Sequence, residues 1–306
     1  MSTRRKFITQ AAAAATLATL PARAAKPALR LKYLMASALY GDMKLESILP
    51  EIAAESYGGV DIWCKPHGTQ REEVTAMGVA AYADLLQRFK VQQVCFTNYP
   101  LGPFSLKDEM PILKNLGGKL LVTGAKGPKN VSGAEAKAGI ATFLEQMKPH
   151  ADAAGELGLT IAIENHANSL LSTPDSIRCW AEQNRHAALG VAFAPHHLAE
   201  QVNEIPQLIK DLGAANLPFF YFQEHGIGSQ KKVEKEIELQ QLPGYGTLDY
   251  KPILQALREI NFQGWSEIFM HPTPRGVPIL ETASAITKAI NKSRDHLEKL
   301  LKEVNV

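Results

Sequence analysis

Polar side chains that could bind a metal ion or move a proton follow four apolar segments in the second half of the sequence. They are Glu164, His197, Gln223 and Glu267. Carboxylate, imidazole and amide groups together form a ligand set that suits a divalent cation such as Mn²⁺, Mg²⁺ or Zn²⁺. Such a cation can polarise a carbonyl, and a glutamate can then remove the neighbouring proton as a general base. The pattern predicts a metal-assisted enzyme with Glu164 and Glu267 as its catalytic groups.

The elements that must position these residues are strands alternating with helices. Eight short apolar runs predict strands at Leu31–Met35, Val60–Trp63, Val91–Phe96, Lys119–Thr123, Thr160–Glu164, Gly190–Ala194, Phe219–Gln223 and Gly264–Phe269. Helical patterns lie at Leu45–Glu55, Gln70–Phe89, Leu106–Leu116, Gly133–Leu157, Pro174–Gln183, Ile205–Leu212, Tyr250–Ile260 and about Leu280–Leu301. Eight strand–helix pairs in about 280 residues predict an α/β fold, a single (β/α)8 TIM barrel. The alternative is an open, doubly wound sheet, but the first strand lacks the glycine-rich turn of that fold.

A (β/α)8 barrel carries its catalytic groups at the C-terminal ends of its strands, where these polar residues are predicted to lie. Within residues 160–164, alternation places Ile161 and Ile163 towards the helices and Glu164 towards the barrel interior. The same alternation turns Glu267 inward in the last strand. The polar segment Gly226–Pro243, after the seventh strand, is predicted to be a surface excursion that could cover the mouth of the barrel.

Composition excludes several classes of protein. Hydrophobic residues make up 45% and charged residues 21% of the 306 residues, which is typical of a globular domain and not of a disordered chain. The net charge of +2 depends on four basic residues in the first 24 positions; without them 29 basic residues face 31 acidic ones. A mildly acidic body argues against nucleic-acid binding. Cys64, Cys95 and Cys179 are too few for a disulfide scaffold, and we expect no bridge.

The first 24 residues have the organisation of an export signal. Arg4 and Arg5 precede an apolar, alanine-rich stretch from Ile8 to Leu20, and residues 22–24 read Ala-Arg-Ala, a cleavage pattern. The paired arginines are typical of a twin-arginine signal. We therefore expect residues 1–24 to be removed, residues 25–306 to form the barrel, and the mature protein to be periplasmic or otherwise exported, with no membrane span. An ordinary secretory signal or an uncleaved anchor is the alternative.

Four segments resemble the xylose isomerase-like barrel superfamily, the sugar phosphate isomerase/epimerase family. They read Ile-Ala-Ile-Glu-Asn-His at 161–166, Gly-Val-Ala-Phe-Ala-Pro-His-His at 190–197, Gly-Tyr-Gly-Thr-Leu-Asp-Tyr at 244–250 and Gly-Trp-Ser-Glu at 264–267. Residues 60–63 with His67 also look like the second-strand segment of that family. Their order and spacing extend the resemblance over the mature chain. The resemblance implies a TIM barrel that isomerises or epimerises sugars.

The resemblance also implies a metal site whose ligands are partly changed here. Glu164 and Glu267 match the two glutamates of the family, which bind the metal and act as acid and base. Ala194 stands in place of the family's strand-six aspartate, and Tyr221 or Gln223 in place of its strand-seven histidine. We expect His197, which matches a histidine that contacts substrate in the family, to join Gln223 and the two glutamates as ligands.

Further polar and aromatic residues near predicted strand ends are candidates for substrate binding, beside His197. They are His166, Trp63, His67, His271 and Arg275. A tryptophan at the mouth could stack on a sugar ring, and an arginine could bind a carboxylate or sugar hydroxyls.

The function predicted from the sequence is that of an exported isomerase or epimerase acting on a non-phosphorylated carbohydrate or keto-sugar. A 3-keto-glycoside lyase or hydratase would use the same proton abstraction. Two other classes stay open: a non-catalytic sugar-binding barrel that lost its metal with Ala194, and a phosphodiesterase or DNA-repair nuclease on the same fold. The expected partner is a small carbohydrate, and the chain could form a homo-oligomer.

Overall fold

Eight parallel strands close into a barrel in the computed structural model, which describes residues 27–55 and 57–306. The strands are β1 Lys32–Ala36, β2 Gly59–Trp63, β3 Gln93–Thr97, β4 Leu120–Gly124, β5 Thr160–Glu164, β6 Leu189–Phe193, β7 Phe219–Phe222 and β8 Trp265–Ile268. Strand β1 pairs with both β2 and β8, which closes the sheet. The predicted single (β/α)8 barrel is confirmed, and an open, doubly wound sheet is excluded.

Helices follow the strands along the chain. They are α1 Leu45–Ala54, α2 Gln70–Met77, α3 Val79–Phe89, α4 Glu109–Asn115, α5 Gly133–Glu156, α6 Pro174–Gln183, α7 Ile205–Leu212, α8 Lys235–Glu238, α9 Lys251–Glu259 and α10 Ala283–Val304. The prediction of one helix over Gln70–Phe89 was wrong. Gly78 divides it into α2 and α3, because its φ of 85° lies in the left-handed region that ends helices.

Strand register sets the inward face of the barrel. The β5–β6 pairing places Glu164 opposite Ala192, and the β7–β8 pairing places Tyr221 opposite Glu267. Ile161 and Ile163 are fully buried, as expected for branched side chains packed between strands and helices. The alternation predicted for the fifth and eighth strands agrees with this register.

The segment after β7 folds into short helical turns that Gln241 fastens to the barrel. The Gln241 side-chain amide donates to the carbonyls of Glu238 and His271, and its oxygen accepts from the His271 main-chain N–H and from Gln223. Gln241 is fully buried. These four bonds fix the base of the Gly226–Pro243 excursion against the ends of β7 and β8, so it forms a wall of the mouth.

The predicted export signal, residues 1–24, lies outside the described residues. None of the helices in residues 27–55 and 57–306 combines the length and the hydrophobicity needed to cross a bilayer. The three cysteines are free thiols.

Candidate active site

Three side chains at the mouth of the barrel bring potential metal ligands together. One ligand atom each from Glu164, His166 and His197 lies within 4.8 Å of the other two. Glu164 ends β5, His166 follows it two residues later, and His197 lies in the 3-10 turns Pro195–Glu204 after β6. Glu164 is buried, while His166 is exposed and His197 is half-buried. The group therefore lies where the buried strand end meets solvent.

Asn165 holds the two loops of this group together. Its side-chain amide donates to the carbonyl of Ala194 at 3.0 Å, and its oxygen accepts from the Ala194 N–H at 2.6 Å. The N–H of His197 in turn donates to the carbonyl of Ala194. This buried pair of hydrogen bonds fixes the start of the loop after β6 beside β5. It explains how His197 comes within 3.6 Å of Glu164, measured from Nε2 to Oε1.

Glu164 is held as a carboxylate. The Tyr99 hydroxyl donates to its second oxygen at 2.5 Å. Burial raises the pKa of Glu164, but the close contact with His197, the nearby His166 and the hydrogen bond from Tyr99 together outweigh burial and keep this pKa below its usual value. Glu164 is therefore ionised at neutral pH and supplies the negative charge that a cation requires.

The donor chemistry of the group fits a transition-metal ion. His197 Nε2 is buried and has no hydrogen-bond partner among the described residues. His166 Nδ1 lies 2.7 Å from the carbonyl of Ala167, an arrangement that protonates Nδ1 and leaves the Nε2 lone pair free. Two imidazoles and one carboxylate form the ligand set of catalytic zinc sites and of non-haem iron sites, both of which keep open positions for substrate.

The role of Gln223 as a metal ligand stays a prediction. Its amide nitrogen donates to Gln241 at 2.9 Å, which fixes the side chain and leaves its oxygen free. Gln223 lines the same cavity as His166 and His197. Its Oε1 atom is buried without a partner among the described residues, so it can face a ligand or a metal in that cavity.

Glu267 is also separate from the group, although it points inward as predicted. Trp63, in β2, and Phe269, just after β8, each lie two residues beyond Asp61 and Glu267, one step nearer the mouth. Their rings stack with centroids 4.6 Å apart and planes inclined by 10°. The centroid of the Tyr221 ring lies 5.7 Å from that of Phe269. The carboxyls of Asp61 and Glu267 lie one step deeper in the barrel than this aromatic layer and are fully buried. Glu267 therefore lies beneath the mouth.

Asp61 and Glu267 form a buried carboxyl pair. The Thr97 hydroxyl donates to Asp61 Oδ2 at 2.6 Å. Burial raises the pKa of Asp61 to about 6, despite the hydrogen bonds it accepts. Burial and the neighbouring Asp61 raise the pKa of Glu267 well above its usual value. Two adjacent buried carboxyls cannot both ionise cheaply, so the pair carries at least one proton at neutral pH.

A row of imidazoles extends from the metal-ligand candidates across the mouth. His197 lies 4.0 Å from His196, His196 lies 6.0 Å from His271, and His271 lies 5.3 Å from His67, between ring centroids. Burial lowers the pKa of His67 to about 4 and lowers those of His196 and His271 well below 6.5. These rings are neutral at neutral pH. Neutral imidazoles can donate and accept hydrogen bonds, as sugar hydroxyls require.

The remaining predicted substrate contacts divide into two kinds. Arg275 lines the cavity with His166, His197 and His271. Trp63 is 1% exposed and its ring face is occupied by Phe269, so it belongs to the layer beneath the mouth. His67 packs edge-on against Trp63 at 5.3 Å.

Sequence reasoning missed Tyr99, Asn165 and Asp61. Tyr99 follows β3 as the other polar candidates follow their strands, so its position was a usable signal. Asp61 lies inside an otherwise apolar strand, and a carboxyl group at such a position is rarely buried without a partner. No sequence pattern indicated the bond from Asn165 to Ala194.

A family model described as xylose isomerase-like TIM barrel matches residues 50–300. The chain belongs to this family. The match covers every strand except β1 and all the residues of the candidate site. The family resemblance noted in the sequence is therefore confirmed. No match was found among curated proteins.

Solved structures of other xylose isomerase-like barrels share the fold at low sequence identity. An IolI protein with a bound zinc atom is 18% identical, with a TM-score of 0.68 over 88% of this chain and 99% of that one. A D-tagatose 3-epimerase-like protein is 16% identical, with a TM-score of 0.65 over 90% and 98%. The 3-keto-D-glucoside 4-epimerase of E. coli is 14% identical, with a TM-score of 0.62 over 87% and 100%.

Proposed function

We propose that the protein is a divalent-metal-dependent isomerase or epimerase of a carbohydrate or keto-sugar. One observation carries the proposal: Glu164, His166 and His197 present three ligand atoms within 4.8 Å at the mouth of the barrel. The similar folds of a zinc-bound protein and of sugar epimerases support it. His197 Nε2 is buried, lies 3.6 Å from Glu164 Oε1 and makes no hydrogen bond among the described residues, so it is available as a ligand atom.

Glu164, His166 and His197 would hold the metal, which supplies polarisation of a substrate carbonyl. Tyr99 fixes one oxygen of Glu164 and so directs the other towards His197. The aromatic layer of Trp63, Phe269 and Tyr221 packs ring against ring and forms the floor of the mouth.

The proton beside the carbonyl requires a base at the mouth. Glu267 lies beneath the aromatic layer, and burial and Asp61 keep its pKa high, so its protonated carboxyl can only donate. The neutral imidazole of His271 has a buried Nδ1 atom with no partner among the described residues. It lines the cavity with the three candidate ligands. We assign the acceptor role to His271 in this proposal, and the catalytic role predicted for Glu267 from the sequence stays a prediction.

A 3-keto-glycoside lyase or hydratase remains the second candidate, because it would begin with the same proton abstraction. The export signal predicted at residues 1–24 favours a non-phosphorylated substrate in either case, since phosphorylated sugars belong to the cytoplasm.

Exchange of a substrate proton with solvent deuterium tests the proposal. The test covers both candidates, because an isomerase and a lyase would each begin by removing the proton beside the carbonyl. The full chain, loaded with Zn²⁺, Mn²⁺ or Co²⁺, is incubated with neutral keto-hexoses and 3-keto-glycosides in D₂O. We expect deuterium at the carbon beside the carbonyl of at least one substrate, and its loss in a Glu164→Gln variant. His271→Asn should lower exchange while metal content stays unchanged.

His186→Asn provides the matched control, because this histidine pairs with Asp152 on the outside of the barrel. It should exchange protons at the wild-type rate. Bound metal with no exchange into any of these sugars would contradict the proposed reaction, and absence of bound metal would contradict the whole proposal.

A further inference from the structure

Arg275 presents an uncompensated positive charge to the cavity. Its guanidinium donates to two main-chain carbonyls, those of Pro272 at 2.8 Å and Ser229 at 2.9 Å. No ion pair involves Arg275 among the described residues. Two of the five N–H donors of a guanidinium are thereby used. The bonds fix the plane of the group and leave three donors for a ligand.

The acids nearest this charge are already occupied. Glu238 is the acid whose charge acts on Arg275, but one of its oxygens accepts from the Thr273 N–H and the other pairs with Lys235. Glu224, which also lines the cavity, accepts main-chain N–H groups at both oxygens. Both carboxylates are engaged by other donors, and neither forms an ion pair with Arg275.

Arg275 acts on the same space as the metal-ligand candidates. It lines a cavity of about 790 Å³ together with His166 and His197. Burial is the largest cause of the lowered pKa values of His67 and His271, and the charge of Arg275 lowers both further. Arg275 is therefore close enough to these two rings of the mouth to act on a ligand bound there.

We infer that the substrate is an acidic carbohydrate, a sugar acid whose carboxylate binds Arg275 while its carbonyl lies at Glu164, His166 and His197. This inference rests on the proposed function and names the substrate class of that site. A guanidinium held in one plane suits the two oxygens of a carboxylate, and the half-buried position strengthens the pairing. Arg275 therefore offers the carboxylate a binding group separate from the metal-ligand candidates in the same cavity.

Binding of matched acidic and neutral sugars tests this inference. D-Glucuronate and D-galacturonate differ from D-glucose and D-galactose only in the carboxylate, and 2-keto-D-gluconate is compared with D-fructose. Affinities are measured by isothermal titration on the full chain, both metal-loaded and after chelation. We expect each acid that binds to bind about 10- to 100-fold more tightly than its neutral partner, the range of a charge-assisted hydrogen bond. The preference should persist after chelation.

Substitutions of Arg275 test whether its guanidinium causes the preference for acidic sugars. Arg275→Gln should abolish it, and Arg275→Lys should keep part of it because the charge remains. Arg185→Gln is the matched control, since Arg185 also donates only to main-chain carbonyls and lies outside this cavity. It should leave the preference unchanged. Thermal unfolding of each variant shows whether it folds.

The outcomes separate this inference from the proposed function. Equal binding of acids and neutral sugars, no binding of any acid, or a preference that survives Arg275→Gln overturns the inference. A preference lost on chelation also overturns it, because the carboxylate would then bind the metal. Proton exchange into neutral keto-sugars without binding of acids would leave the proposed function standing. Absence of bound metal would overturn the proposed function and the placement of the substrate carbonyl, whereas the preference of Arg275 for acids is decided by the binding measurements.

Discussion

Replacing Asp61 with asparagine should change how stability depends on pH. The pKa of Asp61 rises from 3.8 to about 6 on folding, which corresponds to about 3 kcal/mol. Because the folded state favours the protonated acid, its contribution to stability is complete below pH 3.8 and is lost as the pH rises through 6. An asparagine cannot ionise and keeps an oxygen for the Thr97 hydroxyl. Relative to wild type, Asp61→Asn should therefore gain up to about 3 kcal/mol between pH 4 and pH 8.

Urea denaturation at several pH values between 4 and 8 measures this difference. Replacing Asp61 also removes one cause of the raised pKa of Glu267, so that pKa should fall towards its usual value. This change would also stabilise the variant relative to wild type as the pH rises. Asp152→Asn is the control. Because Lys148 and His186 lower the pKa of this exposed acid, the variant should lose stability relative to wild type as the pH rises. Parallel curves for wild type and Asp61→Asn, with no widening towards pH 8, would refute the assignment of a shared proton to the buried pair.

Three further substitutions test one contact of the site, one of the wall of the mouth and one buried ion pair between helices α2 and α4. Tyr99→Phe removes the donor to Glu164 and should weaken zinc binding about 10- to 100-fold, measured by competition with a chromophoric chelator. Gln241→Ala leaves buried partners unsatisfied and should lower the free energy of unfolding by about 1–3 kcal/mol in urea. Arg71→Ala breaks a buried bidentate pair and leaves the Glu109 carboxylate uncompensated, at a cost of about 3–5 kcal/mol in the same assay.

Matched controls accompany these substitutions. Tyr57→Phe removes a phenol bonded to Asn291, far from the metal-ligand candidates, and should leave zinc affinity unchanged. Arg88→Ala breaks an exposed pair with Glu46 and should cost less than about 1 kcal/mol. If Tyr99→Phe binds zinc like wild type, or if Gln241→Ala and Arg71→Ala are as stable as wild type, the supporting role assigned to that contact is wrong.

Hydrophobic patterning was sufficient to predict the barrel. Each apolar run became a strand within two residues of its predicted start, because a parallel strand buried on both faces leaves a continuous apolar signature. The break at Gly78 was missed because apolar periodicity continues on both sides of it. Glycine can join helices or end them, and only the backbone angle decides.

The ligand set could be predicted only in part. Alternation correctly turned Glu164 and Glu267 inward, but it gives the face of a strand and not the depth of a residue in the barrel. The stagger of the strands places Phe269 and Trp63 above Glu267. His166 lies in a loop, where position depends on long-range contacts such as the Asn165–Ala194 bonds.

Metal stoichiometry of four variants tests the central claim most directly. The full chain is purified without chelator, reloaded with Zn²⁺ and analysed by elemental analysis, as are His166→Ala, His197→Ala, Gln223→Ala and Glu267→Gln. The structure predicts about one equivalent in wild type, loss in the two histidine variants, and retention in the Gln223 and Glu267 variants. Retention in His166→Ala with loss in Glu267→Gln would instead support the ligand set expected from the sequence and contradict the site described here.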